Sequence, residues 1–161
     1  MIVCFVRHGK AEEKKPGQSD EERKLTEQGR KDIEIVSRVL PVARGSKVYT
    51  SPLVRARESA EIIAKELGGS LKVLESLRPE LASIETLADV ELSGDSVFVG
   101  HAPSLERIVS DAIGGGAIKL KAGGAACIDI GNEHRLRRSV GVLVLLVQPD
   151  QLRKLYDTSL R

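Results

Sequence analysis

The stretch Ile2-Val3-Cys4-Phe5-Val6-Arg7-His8-Gly9 decides the fold. Its first five residues are apolar without interruption, the pattern of a strand buried on both faces inside a sheet covered by helices. The run then stops on an arginine, a histidine and a glycine. Open α/β sheets bind ligands at the carboxyl ends of their strands, and a glycine there lets the backbone make a tight turn. One strand thus predicts both an architecture and the edge where its chemistry sits.

The rest of the chain alternates in the same way. Further strands are expected at Lys47–Thr50, Leu71–Leu74 and Ser96–Gly100. Between them lie amphipathic stretches. Thr26 can cap a helix starting at Glu27, with Ile33, Val36 and Leu40 on one face until Pro41. Ser51-Pro52 reads as a cap and first helical position, followed by the stripe Leu53, Ala56, Ala60, Ile63 and Leu67 and a stop at Gly68-Gly69. A weak helix is expected from Ser83 to Leu92, and another after Pro103 carrying Leu105, Ile108, Val109 and Ala112. Ala125–Ile130 and Leu136–Val147, around the turn Gly131-Asn132-Glu133, read as a C-terminal antiparallel hairpin, and Asp150–Leu160 as a closing helix. The reading is one α/β domain over residues 1–161, with a mostly parallel central sheet and helices on both faces.

Composition excludes several classes. The 161 residues carry 25 Lys+Arg against 23 Asp+Glu, a net charge of +2, with two Phe, two Tyr and no Trp. That is neither a basic stripe nor a base-stacking platform, so nucleic acid is not an expected partner. No apolar run reaches the length of a membrane span; Val140–Val147 is far too short. Ile2–Val6 lacks the basic flank of a secretory leader. Cys4 and Cys127 lie in apolar stretches without metal-ligand spacing, which predicts two small core residues in a reducing compartment and a cytoplasmic location. The charged loop Ala11–Lys24 reads either as solvated surface or as a rim over the site, with Glu21-Glu22-Arg23-Lys24 in solvent.

Three polar clusters fall at predicted strand ends: Arg7-His8-Gly9, Arg55 in the first turn of the next helix but one, and Gly100-His101. Two guanidiniums and two imidazoles converging on helix N-termini suit a phosphoryl group, whose oxygens match the arginine fork. No Gly-rich loop ends in Gly-Lys-Ser/Thr, and no His-x-His or carboxylate pair suggests a two-metal site. Cys4 is inside the strand and Cys127 has no phosphate-cradling loop after it. Histidine remains as nucleophile. A neutral His8 can attack phosphorus and split hydrolysis into two displacements, with Arg7, Arg55 and His101 as oxygen ligands and neither metal nor cofactor required.

Arg7-His8-Gly9, Leu25-Thr26-x-x-Gly29, Ser51-Pro52-Leu53-x-Arg55-Ala56 and Gly100-His101 follow one another in an order that resembles the histidine phosphatase superfamily, which includes the phosphoglycerate mutases. The likeness spans roughly the first two thirds of the chain. Arg7-His8-Gly9-Lys10-Ala11, Leu77-Arg78-Pro79-Glu80-Leu81, Gly100-His101-Ala102-Pro103-Ser104-Leu105 and Gln148-Pro149-Asp150-Gln151-Leu152 are similar to its short phosphohistidine phosphatases (SixA-like). Ile33 stands where alanine is frequent, and Ala102 where Asn or Gln is common. The resemblance implies a three-layer αβα sandwich, a phosphohistidine intermediate on His8 and phosphorylated histidine on a protein as substrate, with inorganic phosphate as product. It also marks Glu80 as the candidate for an acidic proton donor; a structural carboxylate capping the next turn is the other reading. A productive Glu80 favours a small phosphoester or sugar phosphate instead. A phosphate- or phosphoprotein-binding module without catalysis is the remaining alternative.

Overall fold

In the computed structural model residues 1–159 are described, with side chains through Tyr156. Among these residues six strands form one sheet: β1 (Ile2–Arg7), β2 (Lys47–Thr50), β3 (Leu71–Val73), β4 (Ser96–Gly100), β5 (Ala125–Asp129) and β6 (Val142–Val147). Their order is β3-β2-β4-β1-β5-β6. The first four are mutually parallel, while β5 runs antiparallel to β1 and β6 antiparallel to β5. Five helices accompany them: α1 (Glu27–Ser37), α2 (Val54–Leu67), α3 (Ile84–Leu87), α4 (Ser104–Ala112) and α5 (Pro149–Ser159).

The central strand is sided as its sequence demands. Val3 and Phe5 face a core shared with Phe98, Leu105 and Ile108, under α3 and α4. Cys4 and Val6 face the opposite core, with Ile33, Ala60 and Ile63 from α1 and α2. Phe5 and Tyr49 both stack on Phe98, with ring centroids 5.7 and 4.9 Å away. Burying each phenyl ring stabilises the fold by about 2–3 kcal/mol.

Register is what assembles the site. Arg7 pairs with Gly100 across β1 and β4, and Thr50 pairs with Val99 across β2 and β4. Parallel, in-register strands therefore deliver His8, Ser51 and His101 to one edge. The antiparallel β5 brings its N-terminal approach to that same edge, where Gly124 accepts from the Arg7 N–H and the Gly123 N–H donates to the carbonyls of Arg7 and His8. Behind the motif, an added Cβ on Gly9 would lie 2.8 Å from the Gly29 carbonyl oxygen, and one on Gly29 would lie 2.3 Å from that of Lys10. Both glycines are needed for the loop after β1 to lie against the first turn of α1.

Several expectations are corrected. Leu136 is not in a strand: it plugs the α4-side core, while Arg137 and Arg138 pair with Glu133, Glu85 and Asp111. Non-local packing and ion pairs hold this connection, and β6 begins only at Val142. The Ser83-capped helix is a single turn, Ile84–Leu87, because the Leu92 N–H is diverted to the His134 carbonyl. The closing helix begins at Pro149; its expected end at Leu160 lies outside the described residues. No helix among the described residues is long and apolar enough to cross a membrane.

Cys4 and Cys127 are not free thiols but a disulfide. They sit directly opposite one another on the antiparallel pair β1 and β5, a juxtaposition that spacing alone does not reveal. The pairing withdraws the cysteine argument for a reducing compartment. It closes a loop between residues 123 apart in sequence, which by chain entropy stabilises the fold by about 3–5 kcal/mol. Replacing both cysteines by alanine is expected to lower Tm by about 10 °C, read by calorimetry without reductant. Two thiols titrating freely in denaturant without reductant would refute the bond.

Candidate active site

A cavity of about 480 Å³ opens at the carboxyl edge of the sheet, with Arg7, His8, Arg55 and His101 in its wall. The structure thus brings four of the five candidate residues together. Each is held by its own local logic. Arg7 ends β1, and its Nη1 donates to the Leu120 carbonyl at 2.8 Å. Arg55 lies in the first turn of α2 and is 6% exposed. Ser59, one turn on, accepts from the Gly9 N–H and donates to the Arg55 carbonyl, tying the loop after β1 to α2.

His8 is oriented by a short bond: Nδ1–H donates to the Gly9 carbonyl at 2.8 Å. That assignment leaves the Nε2 lone pair facing the cavity side, where Arg55 Nε–H donates to it at 3.3 Å. Burial pushes the ring's pKa down, the Gly9 carbonyl pushes it back up, and Arg55 and Arg7 lower it again, to about 4. His8 is therefore neutral at pH 7, with the Nε2 lone pair unprotonated. His101 is held at about 3 by burial, then by His8 and Arg55. Its Nε2 is 2.8 Å from Ser51 Oγ, and the two rings lie 5.2 Å apart. Buried polar atoms normally find partners, yet Arg7 Nε and His101 Nδ1 have none within the protein. Both belong to residues of the cavity wall, and a phosphoryl oxygen is an acceptor that such N–H groups can serve.

Ser51 was expected to cap α2. Instead Leu53 takes the cap position, and Ser51 Oγ accepts from the Leu53 N–H while pairing with His101. The hydroxyl thus serves both the local turn and the strand end on β4.

Glu80 is not brought to the cavity. Its side chain is 64% exposed and lies 4.0 Å from Arg78 Nη1, while its neighbour Pro79 is the residue that reaches the wall. Next to it, Arg78 is engaged by Glu75 at 2.6 Å and by Glu21, from the loop after β1, at 2.7 Å.

Two site residues escaped the sequence reading. Asp20 and Arg23, from the loop expected to be solvated in part, both line the cavity. Arg55 donates from Nη1 to the Asp20 carbonyl at 2.9 Å and from Nη2 to Asp20 Oδ2 at 3.2 Å. Arg23 Nε donates to Asp20 Oδ1 at 2.8 Å. Burial works to raise the Asp20 pKa, but Arg55 and Arg23 outweigh it and hold the carboxyl below its ordinary range. The loop is a closed excursion, since Ala11 bridges Leu25 and the Thr26 N–H returns to the Lys10 carbonyl. Arg55 holds its Asp20 at the cavity wall. Among the described residues no group of three or more His, Cys, Asp or Glu is arranged to hold a metal ion.

Comparison with known proteins fits this geometry. An uncharacterized protein of Picosynechococcus sp. is 32% identical, the match covering 94% of this chain and 99% of that one. Among solved structures, the protein histidine phosphatase SixA complexed with tungstate superposes with a TM-score of 0.76 at 20% identity, over 94% of this chain and 99% of that one. The phosphoserine phosphatase of Entamoeba histolytica with 3-phosphoglyceric acid gives 0.65 at 14% identity, over 90% and 95%. The histidine phosphatase superfamily (branch 1) matches residues 3–92, which include Arg7, His8 and Arg55. The chain therefore belongs to the histidine phosphatase superfamily (branch 1) and is a phosphatase of that family.

Proposed function

We propose that the protein hydrolyses phosphohistidine on a protein through a covalent phosphohistidine intermediate on His8, without a metal ion. The observation that carries this choice of substrate is the position of Glu80, outside the cavity and exposed. An alkyl phosphate leaves as a poor alkoxide and gains much from a positioned acid; phosphohistidine leaves as an imidazole and needs less help. A site with a well-held nucleophile and no carboxylic acid poised to donate suits the P–N bond.

In the proposed cycle the phosphoryl group enters between Arg7, Arg55 and His101. His8 Nε2 attacks phosphorus as the P–N bond to the substrate imidazole breaks and that imidazole departs, and Arg55 Nε–H is released from Nε2 to a phosphoryl oxygen. The guanidiniums stabilise the equatorial charge through both displacements. Throughout, Nδ1–H remains on the Gly9 carbonyl, so the ring carries the phosphoryl group without reorienting. Water then attacks the phosphoenzyme and inorganic phosphate leaves. The fold is also that of a phosphoserine phosphatase, which keeps a small phosphoester as the second reading.

The test measures phosphate release from a phosphohistidine protein and from p-nitrophenyl phosphate, with and without EDTA. Wild type is expected to act on the first preferentially and to be indifferent to EDTA. Glu80→Gln is expected to stay within about twofold on both substrates, as for an exposed side chain outside the chemistry. A tenfold or greater loss on the ester in Glu80→Gln, or dependence on a metal, would overturn this reading.

A further inference from the structure

Among the described residues lining the cavity, Asp20 is the one carboxylate. It is not a proton donor in waiting: two guanidiniums hold it, through Oδ1 to Arg23 and Oδ2 to Arg55. An ionised carboxylate beside a phosphate pocket repels the dianion that the pocket binds. Such a placement needs a chemical reason.

The reaction itself supplies one. Transfer from a phosphohistidine to His8 moves a phosphoryl group between two imidazoles. On the accepting side the distal nitrogen, His8 Nδ1, carries its proton and donates it to the Gly9 carbonyl at 2.8 Å. On the donating side the departing ring needs the same arrangement. The P–N bond breaks, its electron pair returns to the ring nitrogen, and a neutral imidazole leaves only when the distal nitrogen already carries a proton. That N–H requires an acceptor, and an anionic one favours the protonated ring.

Asp20 is the anionic acceptor that the cavity wall offers. One guanidinium bridges it to the nucleophile: Arg55 Nε is 3.3 Å from His8 Nε2, and Arg55 Nη2 is 3.2 Å from Asp20 Oδ2. The Asp20 side chain is 57% exposed, so its remaining lone pairs are open to an incoming ring.

We propose that Asp20 accepts the distal N–H of the departing imidazole and thereby makes the cavity selective for imidazole-borne phosphoramidates over phosphate esters. This deepens the phosphohistidine reading and rests on it. An ester has no such proton to offer, and for it Asp20 is only a repulsive charge.

The test is the ratio of kcat/KM for a phosphohistidine protein to that for p-nitrophenyl phosphate, in wild type and Asp20→Asn. A ratio taken within one preparation is unaffected by the fraction folded. Asp20→Asn is expected to lose about 100-fold on phosphohistidine, as for removal of a proton-handling group, and to gain about fivefold on the ester as the repulsion near Arg55 is lifted. Asp20→Glu is expected to recover part of the phosphohistidine rate. Equal losses on both substrates would make Asp20 a mere support for Arg55; equal gains would make it a latch; either result overturns the proposal. Burst labelling of His8 by p-nitrophenyl phosphate separates the two levels. If wild type forms no phosphoenzyme, the nucleophile reading itself has failed; if both proteins label and the ratio is unchanged, only the role of Asp20 has.

Discussion

His8→Asn should reduce phosphate release by at least about 10⁴-fold, on any substrate, and should leave no phosphoenzyme to trap. Asparagine can still offer an N–H to the Gly9 carbonyl, so the substitution removes the nucleophile with little disturbance of the loop. The comparison that checks it is intact mass after acid quench: wild type is expected to show one added phosphoryl group, the variant none. Residual turnover above about 1% would point to direct attack by water. The same histidine sets the acid limb of the wild-type pH profile. With its pKa lowered to about 4, His8 is neutral above that pH and loses the Nε2 lone pair to a proton below it. The kcat/KM profile, which reports the free enzyme, should therefore stay flat from neutrality down to about pH 5 and fall only as pH approaches 4. A limb near 6.5 would mean that burial and the two arginines do not act on the ring as the structure arranges them.

How far the sequence foretold this site follows from which physical forces are local. Arg7, His8 and Gly100-His101 are contiguous with buried strands whose apolar runs are unmistakable, so their common edge could be expected once the strands were taken as parallel. Arg55 could be placed because the apolar stripe Leu53, Ala56, Ala60, Ile63 and Leu67 of α2 fixes which face of the helix meets the sheet. Asp20 and Arg23 had no such support. Their loop has no periodicity, and non-local contacts place them at the cavity: the bridge of Ala11 to Leu25 closes its base, and Arg55 holds Asp20. Ser51 misled because Ser-Pro is a strong helix-start pattern; its real partner, His101, arrives from a strand adjacent in space but 50 residues away in sequence. The Cys4–Cys127 pair likewise depends on the register of β1 against β5. The fold was carried by local patterning, and the misses cluster where charge pairing or register over long separations decides.

Arg55→Ala is expected to be the most damaging change after loss of the nucleophile, lowering kcat/KM by about 10³-fold on either substrate class. More is lost than one set of phosphate donors. Arg55 is the shared partner of His8 Nε2 and of Asp20, through both its carbonyl and its carboxylate. Without it the carboxylate is left beside the phosphate pocket with Arg23 as its remaining cation. Removing Arg55 also withdraws one of the charges that lower the His8 pKa, so the acid limb should move upward from about 4, with burial still holding it below the ordinary histidine value. Arg55→Lys restores a charge but not the three-way fork, and should recover no more than about tenfold. Coupling can be isolated by adding Asp20→Asn to Arg55→Ala and assaying p-nitrophenyl phosphate. If the guanidinium offsets the carboxylate, Asp20→Asn gains clearly more on the ester in the Arg55→Ala background than its roughly fivefold gain in wild type, and the two effects are not additive. The same gain in both backgrounds would instead show that Arg55 and Asp20 act on the reaction independently, whatever bonds join them.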